Sequence, residues 1–482
     1  MFKKIFGRFM GGTPDAAADT GQTAQAQRSP PASPAQQGAP TASAAPSLAP
    51  SLAATITTAG EENPTQSTNK TATYLCREPI LNEDQRIVAY LFSLQETTHQ
   101  HIRHSSRRLQ HLYAEILVGH LLDARIDRLL GQRLACIEIP DSFLSHPLLD
   151  KLPAQQIILL LAPPFSDTGN LAPETLLNTI RQRQAAGFRI GLPDPLVIQE
   201  YAGALASAQF IALQAPTLYP NHCTRLRQLQ AEQGSKARWL VRDLPALEDF
   251  RFAHKMGASL FHGEFITRRE EWGKREPGPD TLRIANLLAK VRADGDTKEI
   301  AQLLKQDAAL SLRLLRYVNS AAYQPQEPVT SIEHALLMFG RERLYRWLIL
   351  LACAPDANNG RTSAALEIAL VRARMLELLG GAQLPGQSDS LFLVGLLSLA
   401  DIVLQVPLAK AIAPLSLADD VRAALLDGNG PYAPYLELAL ACEQGFKDPQ
   451  GLQNAAALCR VSPEQATDNH LEALNWAMEV QS

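Results

Sequence analysis

Histidines are the residues of this sequence whose type and spacing first point to chemistry. They are concentrated in and after the segment that begins near residue 99, and clustered imidazoles are common ligands of divalent metals. Three arginines lie among them, and fixed positive charges disfavour the approach of a cation. We therefore expect no metal site here. The histidines are His99, His101, His104, His111 and His120, and the arginines are Arg103, Arg107 and Arg108.

The same arginines, together with His111, form a candidate anion patch. No aromatic side chains are interleaved with them to stack on bases. The overall charge adds no attraction, because 45 Lys and Arg stand against 49 Asp and Glu, which gives a net charge of −4. Nucleic-acid binding usually comes with a basic field, so we expect no nucleic-acid partner.

The cysteines argue against a metal-binding ribbon or a disulfide framework. They are far apart and include no Cys-x-x-Cys pair, so a reducing cytoplasm is the expected compartment. The six are Cys76, Cys136, Cys223, Cys353, Cys442 and Cys459.

The first ten residues, MFKKIFGRFM, have the pattern of a short basic amphipathic helix. Four apolar side chains fall on one helical face, and the three cations lie mostly off it. This pattern is typical of a peptide that contacts an anionic membrane surface or docks on a partner, and the alternative is that it has no function. The residues that would make the membrane contact are Phe2, Lys3, Lys4, Ile5, Phe6, Arg8 and Phe9.

Residues 11–72 are rich in Ala, Pro, Ser, Thr and Gln, and we expect them to form a disordered linker. No segment predicts a membrane-spanning helix. The most apolar stretch, residues 391–404, has 14 residues and contains Asp401, whereas a spanning helix needs about 20 apolar residues. The expected location is the cytoplasm, with peripheral attachment at the inner membrane as the alternative.

Short apolar runs alternate with helical patterns between residues 73 and 272. Eight of these runs predict β-strands, and most of the segments between them predict helices. Alternation at this spacing predicts a parallel sheet, and eight strands indicate a closed (β/α) barrel. The runs are 74–79, 86–94, 134–139, 156–161, 188–192, 210–213, 237–242 and 260–265.

An all-helical pattern begins after Pro277 and Pro279 and continues almost to residue 482. Residues 296–299 (DTKE) and 330–333 (TSIE) are capping boxes that open helices. Apolar residues then recur at helical spacing. We therefore expect a second, all-α domain over residues 278–482.

Residues 318–340, VNSAAYQPQEPVTSIEHALLMFG, resemble the signature of HDOD domains, which are helical relatives of the HD phosphohydrolases. The resemblance implies a domain without the His-Asp metal pair of the HD enzymes, and the comparable stretch here is Gly-Leu-Leu-Ser-Leu (395–399). We expect the signature residues to be structural or to mediate interactions, with Asn319 and Ser320 fixing the turn that ends their helix. They are Asn319, Ser320, Ala321, Tyr323, Ser331 and Gly340.

Three stretches of the first domain, RIVAYLFSLQ, AAGFRIGLPD and MGASLFHGEF, resemble in order and spacing the landmarks of the EAL family. That family includes the phosphodiesterases that open the bacterial messenger cyclic di-GMP, and an EAL barrel followed by HDOD is a bacterial pairing called YuxH-like. The resemblance implies carboxylates that hold two divalent metals and activate a water against the phosphodiester.

This sequence departs from the family's ligand pattern at the landmark positions. The motif glutamate and the arginine four residues on are replaced, and a proline stands in the aspartate pair. Only Glu138 and Asp194 remain as carboxylates, and two scattered carboxylates do not make a two-metal site. The residues at the landmark positions are Leu91, Gln95, Glu138, Leu160, Pro193, Asp194, Ala212, His262 and Gly263.

We therefore expect a degenerate EAL-type barrel followed by an HDOD domain, which is not an enzyme and has no catalytic residue, cofactor or metal. Its expected function is that of a signalling scaffold that contacts other signalling proteins in a cyclic di-GMP-related, motility or stress circuit. One alternative is a metal-independent cyclic di-GMP receptor, although Gln95 replaces the arginine best suited to the phosphates. The other alternative is a residual cyclic di-GMP phosphodiesterase.

Overall fold

The computed structural model describes residues 74–95, 106–164, 171–293, 295–319, 329–353, 360–444 and 449–481. The amphipathic peptide, the predicted linker and three of the clustered histidines (His99, His101 and His104) lie outside these ranges. Among the helices in the described ranges, we find none with the length and apolarity needed to cross a membrane.

Eight strands close into a barrel in the order in which they occur along the chain, because the first strand pairs with the last. Each strand predicted from the sequence is present, with small differences at the ends. The strands are β1 (Tyr74–Asn82), β2 (Ile87–Gln95), β3 (Leu134–Ile139), β4 (Ile157–Leu161), β5 (Arg189–Pro193), β6 (Phe210–Gln214), β7 (Arg238–Arg242) and β8 (Leu260–His262).

Strand β1 departs from the predicted parallel arrangement. It runs antiparallel to both β2 and β8, whereas the other neighbouring strands are parallel. The connection explains the difference, since only residues 83–86 separate β1 from β2 and a parallel crossover needs about a dozen residues. Asn82 stabilises the hairpin turn, because its Oδ1 accepts a hydrogen bond of 2.9 Å from the backbone N–H of Arg86.

The barrel interior is a packed apolar core. Its buried side chains include Leu91 of β2, Leu160 of β4 and Leu240 of β7. Strand β5 contributes Gly191, where a Cβ would lie 2.3 Å from Cδ2 of Leu160, so the glycine makes room for that leucine. Polar chemistry inside the barrel is therefore confined to its end layers, as in other barrels of this architecture.

Helices surround the barrel on the outside and bury apolar side chains against its outer face. Two of them begin with a proline in the first turn, where its missing N–H costs no helical hydrogen bond. The helices are α1 (Arg107–Asp123), α2 (Ile126–Leu130), α3 (Pro173–Ala185), α4 (Ala202–Ser207), α5 (Pro220–Glu232) and α6 (Leu247–Lys255).

The rest of the described chain is helical, as the sequence predicts. Its core includes the fully buried Phe339, Trp347 and Phe392. The helices are α7 (Pro279–Arg292), α8 (Thr297–Lys305), α9 (Ala308–Val318), α10 (Ile332–Phe339), α11 (Arg341–Ala352), α12 (Gly360–Gln383), α13 (Ser388–Leu397), α14 (Ala400–Leu404), α15 (Leu408–Ile412), α16 (Asp419–Leu426), α17 (Ala433–Gln444), α18 (Pro449–Leu458) and α19 (Pro463–Gln481).

Both predicted helix starts have a side-chain N-cap, one of them shifted by a residue, but neither shows the reciprocal hydrogen bonds of the predicted capping box. The carboxylate of Asp296 caps α8 by accepting from the N–H of Lys298. Helix α10 is capped by Ser331 and not by Thr330, because the Ser331 hydroxyl accepts from the N–H of His334 at 3.1 Å. The serine has the extended backbone that an N-cap needs.

Helix α12 belongs to both cores. Ala364 is buried among the outer residues of the barrel, while Leu370 and Leu376 are buried in the helical core. The helix begins at Gly360, where a Cβ would lie only 1.9 Å from the carbonyl oxygen of Asp84 in the β1–β2 turn. A glycine is therefore required at the point where α12 meets the barrel.

A buried carboxylate on α12 fixes this helix to the barrel. Glu367 is 3% exposed, and its Oε1 accepts hydrogen bonds from the Tyr90 hydroxyl and from Arg133. Arg133 also donates to Oε2 at 2.7 Å. Burial alone would raise the pKa of Glu367, but the Arg133 guanidinium outweighs burial and holds that pKa below its usual value. The carboxylate is therefore charged and paired.

Replacing Glu367 with alanine should strongly destabilise the protein, because it leaves Arg133 mostly buried without its anion. We expect a loss of about 3–5 kcal/mol in the free energy of unfolding, measured by urea denaturation at pH 7. The control is Glu248→Ala, since the Glu248 side chain is 80% exposed; its effect should stay within about 0.5 kcal/mol.

The stabilisation by Glu367 should also depend on pH. The folded-state pKa lies below the ordinary value of 4.5, so the contribution is fully present above that value and is lost as the pH falls through the folded pKa. The difference in stability between wild type and Glu367→Ala should therefore shrink below about pH 4.5. A difference that stays constant down to the acid unfolding of the variant would contradict the charged state.

Candidate functional site at the barrel mouth

The carboxyl ends of the parallel strands meet at one end of the barrel, and ionisable side chains collect there. Glu138 and Arg242 each follow a residue of the barrel core by two positions, Cys136 on β3 and Leu240 on β7. Side chains two apart on a strand share a face, so both point toward the barrel axis. We use the term barrel mouth for the end of the barrel at which the parallel strands finish, together with the loops that follow them; this end carries Glu78, Glu138, Asp194, His222, Arg242, Asp243 and His262.

An ion pair spans the barrel mouth. Arg242, which is only 4% exposed, donates through Nη1 to Oε2 of Glu138. Burial lowers the pKa of Arg242, but the Glu138 carboxylate outweighs burial and raises it above the ordinary value. The buried Nε of Arg242 has no hydrogen-bond partner in the described part of the chain. The guanidinium therefore keeps one buried donor that no described protein group satisfies.

His262 at the end of β8 lies between two carboxylates. Its Nδ1 accepts from the backbone N–H of Asp243 at 3.4 Å and lies 3.7 Å from Oδ1 of that residue, and its Nε2 is 3.3 Å from Oε2 of Glu78. The contact with Glu78 is close enough for electrostatic attraction but is not aligned as a hydrogen bond. The adjacent Gly263 is obligatory, because a Cβ there would lie 2.3 Å from the backbone of Leu244.

A second imidazole–carboxylate pair lies on the neighbouring strands. Asp194 directly follows β5, and His222 lies in the first turn of α5, after β6. His222 Nε2 is 2.8 Å from Oδ2 of Asp194. Both side chains are partly exposed, the histidine to 29%. A carboxylate that fixes one ring nitrogen leaves the other for a reacting group, which is the arrangement of a general acid–base pair.

The residues present do not fit the two-metal centre that the EAL resemblance implies. Leu91 and Leu160 stand in the barrel core with Ala212 packed against it, and the carboxylate of Glu138 is paired with Arg242. Among the residues that the structure describes, there is no group of three His, Cys, Asp or Glu side chains that could hold a metal ion. Pro193 is buried at the end of β5.

The other histidines singled out from the sequence have packing contacts. His111 on α1 is 3.1 Å from the Ser142 hydroxyl through Nδ1, and its ring meets Phe143 edge-on at 5.1 Å between centroids. Nearby, Arg107 forms an ion pair with Asp141 at 2.8 Å. In the described part of the cluster, then, these side chains hold α1 against the segment after β3.

The HDOD signature residues that the structure describes bind backbone groups or fix the backbone conformation. The Asn319 amide donates to the carbonyls of Leu315 and Val329 and accepts from the Val329 N–H at 2.7 Å. Ser331 caps α10, and Gly340 separates α10 from α11 with a positive φ of 75°. Three signature residues lie outside the described ranges, namely Ser320, Ala321 and Tyr323.

Sequence reasoning alone missed the two residues that most define the barrel mouth. Arg242 closes a predicted strand, and His222 follows Pro220 at a predicted helix start, so both positions were visible as strand or helix ends. The pairing of Arg242 with Glu138 depends on the closure of the barrel, which brings β3 and β7 into one layer, whereas the pairing of His222 with Asp194 depends on β5 and β6 being neighbours.

Comparison with known proteins supports both halves of the architecture. The family model for the HDOD domain matches residues 280–415. "Cyclic di-GMP phosphodiesterase CdgJ" of Vibrio cholerae serotype O1 is 23% identical over 410 residues, which cover 85% of this chain and 93% of the relative. "Uncharacterized protein YuxH" of Bacillus subtilis is 22% identical and covers 84% of this chain and 97% of the relative.

Solved structures that are similar to this chain are EAL proteins. The PaMucR phosphodiesterase in complex with c-di-GMP is 15% identical and covers 41% of this chain and 96% of its own, with a TM-score of 0.34. The Bacillus subtilis YkuI protein, with an EAL domain and in complex with c-di-GMP and calcium, is 13% identical and covers 49% and 72%, with a TM-score of 0.32.

These findings correct one part of the sequence analysis. The prediction of a non-catalytic scaffold that is not an enzyme is wrong, because a relative that aligns with 85% of this chain is named a cyclic di-GMP phosphodiesterase. The prediction rested on the residues at single strand positions, whereas the loops that follow the strands also bring ionisable side chains to the barrel mouth, such as His222 with Asp194.

The ion pair across the barrel mouth should behave as a coupled unit. Arg242→Met leaves the largely buried Glu138 carboxylate without its cation, and we expect a loss of roughly 2–4 kcal/mol in the free energy of unfolding. The double variant Glu138→Met with Arg242→Met should recover more than half of that loss. Denaturant unfolding of the wild type, both single variants and the double variant measures the coupling.

The matched control for this cycle is Arg251→Met, since the Arg251 side chain is 65% exposed. Its effect should be within about 0.5 kcal/mol. The pair is not coupled if the double variant loses as much free energy of unfolding as the two single variants of the barrel mouth lose together.

Proposed function

We propose that the protein is a cyclic di-GMP phosphodiesterase whose substrate binds at the barrel mouth. The chain joins an EAL-type barrel to an HDOD domain. The supporting observation is the similarity over most of the chain to a relative named for that activity, together with paired acid–base groups at the carboxyl end of the strands. In this proposal residues 73–272 form the catalytic unit and residues 278–482 the HDOD unit.

Arg242 supplies phosphate recognition in the proposed site. Each phosphodiester of cyclic di-GMP carries one negative charge, and a guanidinium is the side chain best suited to such an oxyanion. The unpartnered Nε of Arg242 is available for this contact while Nη1 remains bonded to Glu138. The shared guanidinium therefore holds one phosphodiester next to the carboxyl ends of the strands.

The Asp194–His222 pair supplies the acid–base chemistry. Asp194 fixes Nε2 of His222 at 2.8 Å, so Nδ1 is the nitrogen that can accept a proton from water. The oxygen of that water bonds to phosphorus, one phosphorus–oxygen ester bond breaks, the departing sugar oxygen takes a proton from solvent water, and His222 returns its proton to solvent. One water is consumed and the ring opens to the linear dinucleotide. No step of this reaction uses a metal ion.

The test is the release of linear dinucleotide from cyclic di-GMP by the purified full-length chain. We expect His222→Gln to lower the rate at least 100-fold, because general acid–base groups typically contribute 10²–10⁴-fold. Arg242→Met should mainly raise the substrate concentration needed for half-maximal rate. The control is His254→Gln, since His254 is exposed and outside the barrel mouth.

Each assay is run with Mg²⁺, with Mn²⁺ and with a chelator. Turnover that persists in chelator and disappears in His222→Gln supports the acid–base proposal. Turnover that requires the metal and is unchanged in His222→Gln would show hydrolysis through groups other than those proposed. Absence of turnover in all three conditions would contradict the phosphodiesterase itself.

We also propose that residues 1–10 bring the protein to anionic membrane surfaces, which the amphipathic sequence supports. Each basic residue near such a surface contributes about 1 kcal/mol, so three cations and four apolar side chains give weak, salt-sensitive binding. Flotation with anionic liposomes should recover full-length protein but not a form that lacks residues 1–10. Equal flotation of both forms, or flotation unchanged at high salt, would exclude an electrostatic anchor.

A further inference from the structure

A cavity of about 370 Å³ lies between the barrel and the helical domain. Strands β1 and β8 line it from the barrel side, and helices α12, α17 and α19 line it from the other side. Its volume is at the lower end of the range of small-molecule sites, which is about 300–1,000 Å³. We call it the interdomain cavity. It is separate from the substrate-binding groups Arg242, Asp194 and His222, which do not line it.

Arg77 is a buried cation with an unused donor in this cavity. Its guanidinium carbon lies 3.7 Å from the centre of the Tyr90 ring, and the residue is 9% exposed. Nη1 of Arg77 is buried and has no hydrogen-bond partner among the described residues. The nearest buried carboxylate, Glu367, is already bonded to Arg133 and Tyr90. A buried N–H of a charged group that is left without a partner is costly.

His470 presents a second unpartnered atom from the opposite wall. The residue is 3% exposed, and its Nδ1 has no hydrogen-bond partner in the described part of the chain. Burial, reinforced by the positive charges of Arg77 and Arg372, lowers the pKa of His470 to about 3, so the ring is neutral at physiological pH. A neutral imidazole nitrogen can accept a hydrogen bond or, as the other tautomer, donate one.

The other charged groups of the cavity have partners. Arg372 donates to both carboxylate oxygens of Glu443 at 2.7 Å and to the hydroxyl of Ser398 at 3.0 Å. The carboxylates of Glu443 and Glu367 keep unused acceptor capacity, because a carboxylate accepts about four hydrogen bonds. Arg269, which also lines the cavity, lies 3.7 Å from Asp401. The cavity therefore combines the unpartnered donor of Arg77 with several acceptors and with apolar side chains such as Leu436 and Leu474.

We propose that the interdomain cavity is a binding site for a nucleoside monophosphate. The phosphate lies on Arg77, whose unpartnered Nη1 matches an oxyanion. The hydroxyl and amino groups of the sugar and base face the acceptors of Glu443 and His470, and the flat base packs against the apolar wall. A ligand with only an oxyanion would leave the acidic wall unmatched, and one without an oxyanion would leave Arg77 unmatched.

The site connects the two domains through strand β1. Successive residues of a strand point to opposite faces, so Arg77 faces the helical domain while Glu78 faces the barrel mouth beside His262. Glu78 and His262 also line the interdomain cavity. A ligand there contacts both domains at once and adds bonds between them, so its occupancy favours the docked arrangement.

The experiment is isothermal titration calorimetry of GMP and AMP into the full-length chain, with guanosine and inorganic phosphate as partial probes. We expect a nucleotide to bind with a stoichiometry near one, and each partial probe to bind at least tenfold more weakly. Arg77→Met should weaken nucleotide binding at least tenfold. His470→Phe, which keeps a ring of similar size, removes the second contact and should also weaken it, so the test does not depend on a single variant.

Two controls separate this site from the proposed active site. Arg242→Met should retain nucleotide binding, because that residue lies at the barrel mouth and outside the cavity. Arg251→Met should retain it as the exposed-cation control. Failure of both nucleotides to bind at millimolar concentration would overturn the proposal, as would binding that is lost in Arg242→Met but unchanged in Arg77→Met. Neither result depends on whether cyclic di-GMP is hydrolysed.

Discussion

The buried carboxylate of Glu367 is the interaction on which the arrangement of the two domains depends. This side chain belongs to helix α12 of the helical domain, and it accepts hydrogen bonds from Tyr90 on β2 and from Arg133 just before β3. A buried anion without partners would cost several kcal/mol, so the pair forms only when α12 lies against the barrel. Hydrophobic packing holds the two domains together, while this ion pair sets their register.

The position of α12 against the barrel also affects the barrel mouth, through β1 and β2. These strands form a hairpin, and its turn is held under the first residue of α12, where only a glycine fits. The hairpin also carries Glu78 at the mouth and Arg77 at the interdomain cavity. The position of the helical domain therefore fixes a strand that has one charged side chain in each site.

The periodic parts of this structure could be predicted from the sequence, whereas the ion pairs could not. Short apolar runs located all eight strands, and helical spacing located the second domain, because both patterns are local properties of the sequence. The antiparallel β1 was missed although the short 83–86 connection required it. The Tyr90–Glu367 contact joins residues 277 positions apart. No local pattern marks such a pair, and a buried glutamate in a helix looks like any exposed one.

The contacts of the candidate site could not be predicted from the sequence for the same reason. Sequence comparison at fixed strand positions identified Leu91, Pro193 and Ala212 as departures from one ligand pattern, and the structure places these residues in or beside the barrel core. It could not identify the contact of His222 with Asp194, because the two residues follow different strands and are 28 positions apart in the sequence. The barrel brings the ends of the strands together, and the loops after the strands carry ionisable side chains to that end.

Arg242 sets the electrostatic balance of the proposed reaction. In the ligand-free protein Glu138 neutralises the guanidinium, so a phosphodiester that approaches Nε meets a cation already shared with one carboxylate. The net gain from such a shared contact is smaller than from an unpaired arginine, because the two anions repel each other across it. Substrate affinity must then come largely from the guanine bases and the walls of the mouth. The same balance favours release, since the opened product carries an additional phosphate charge, which the Glu138 carboxylate beside it repels.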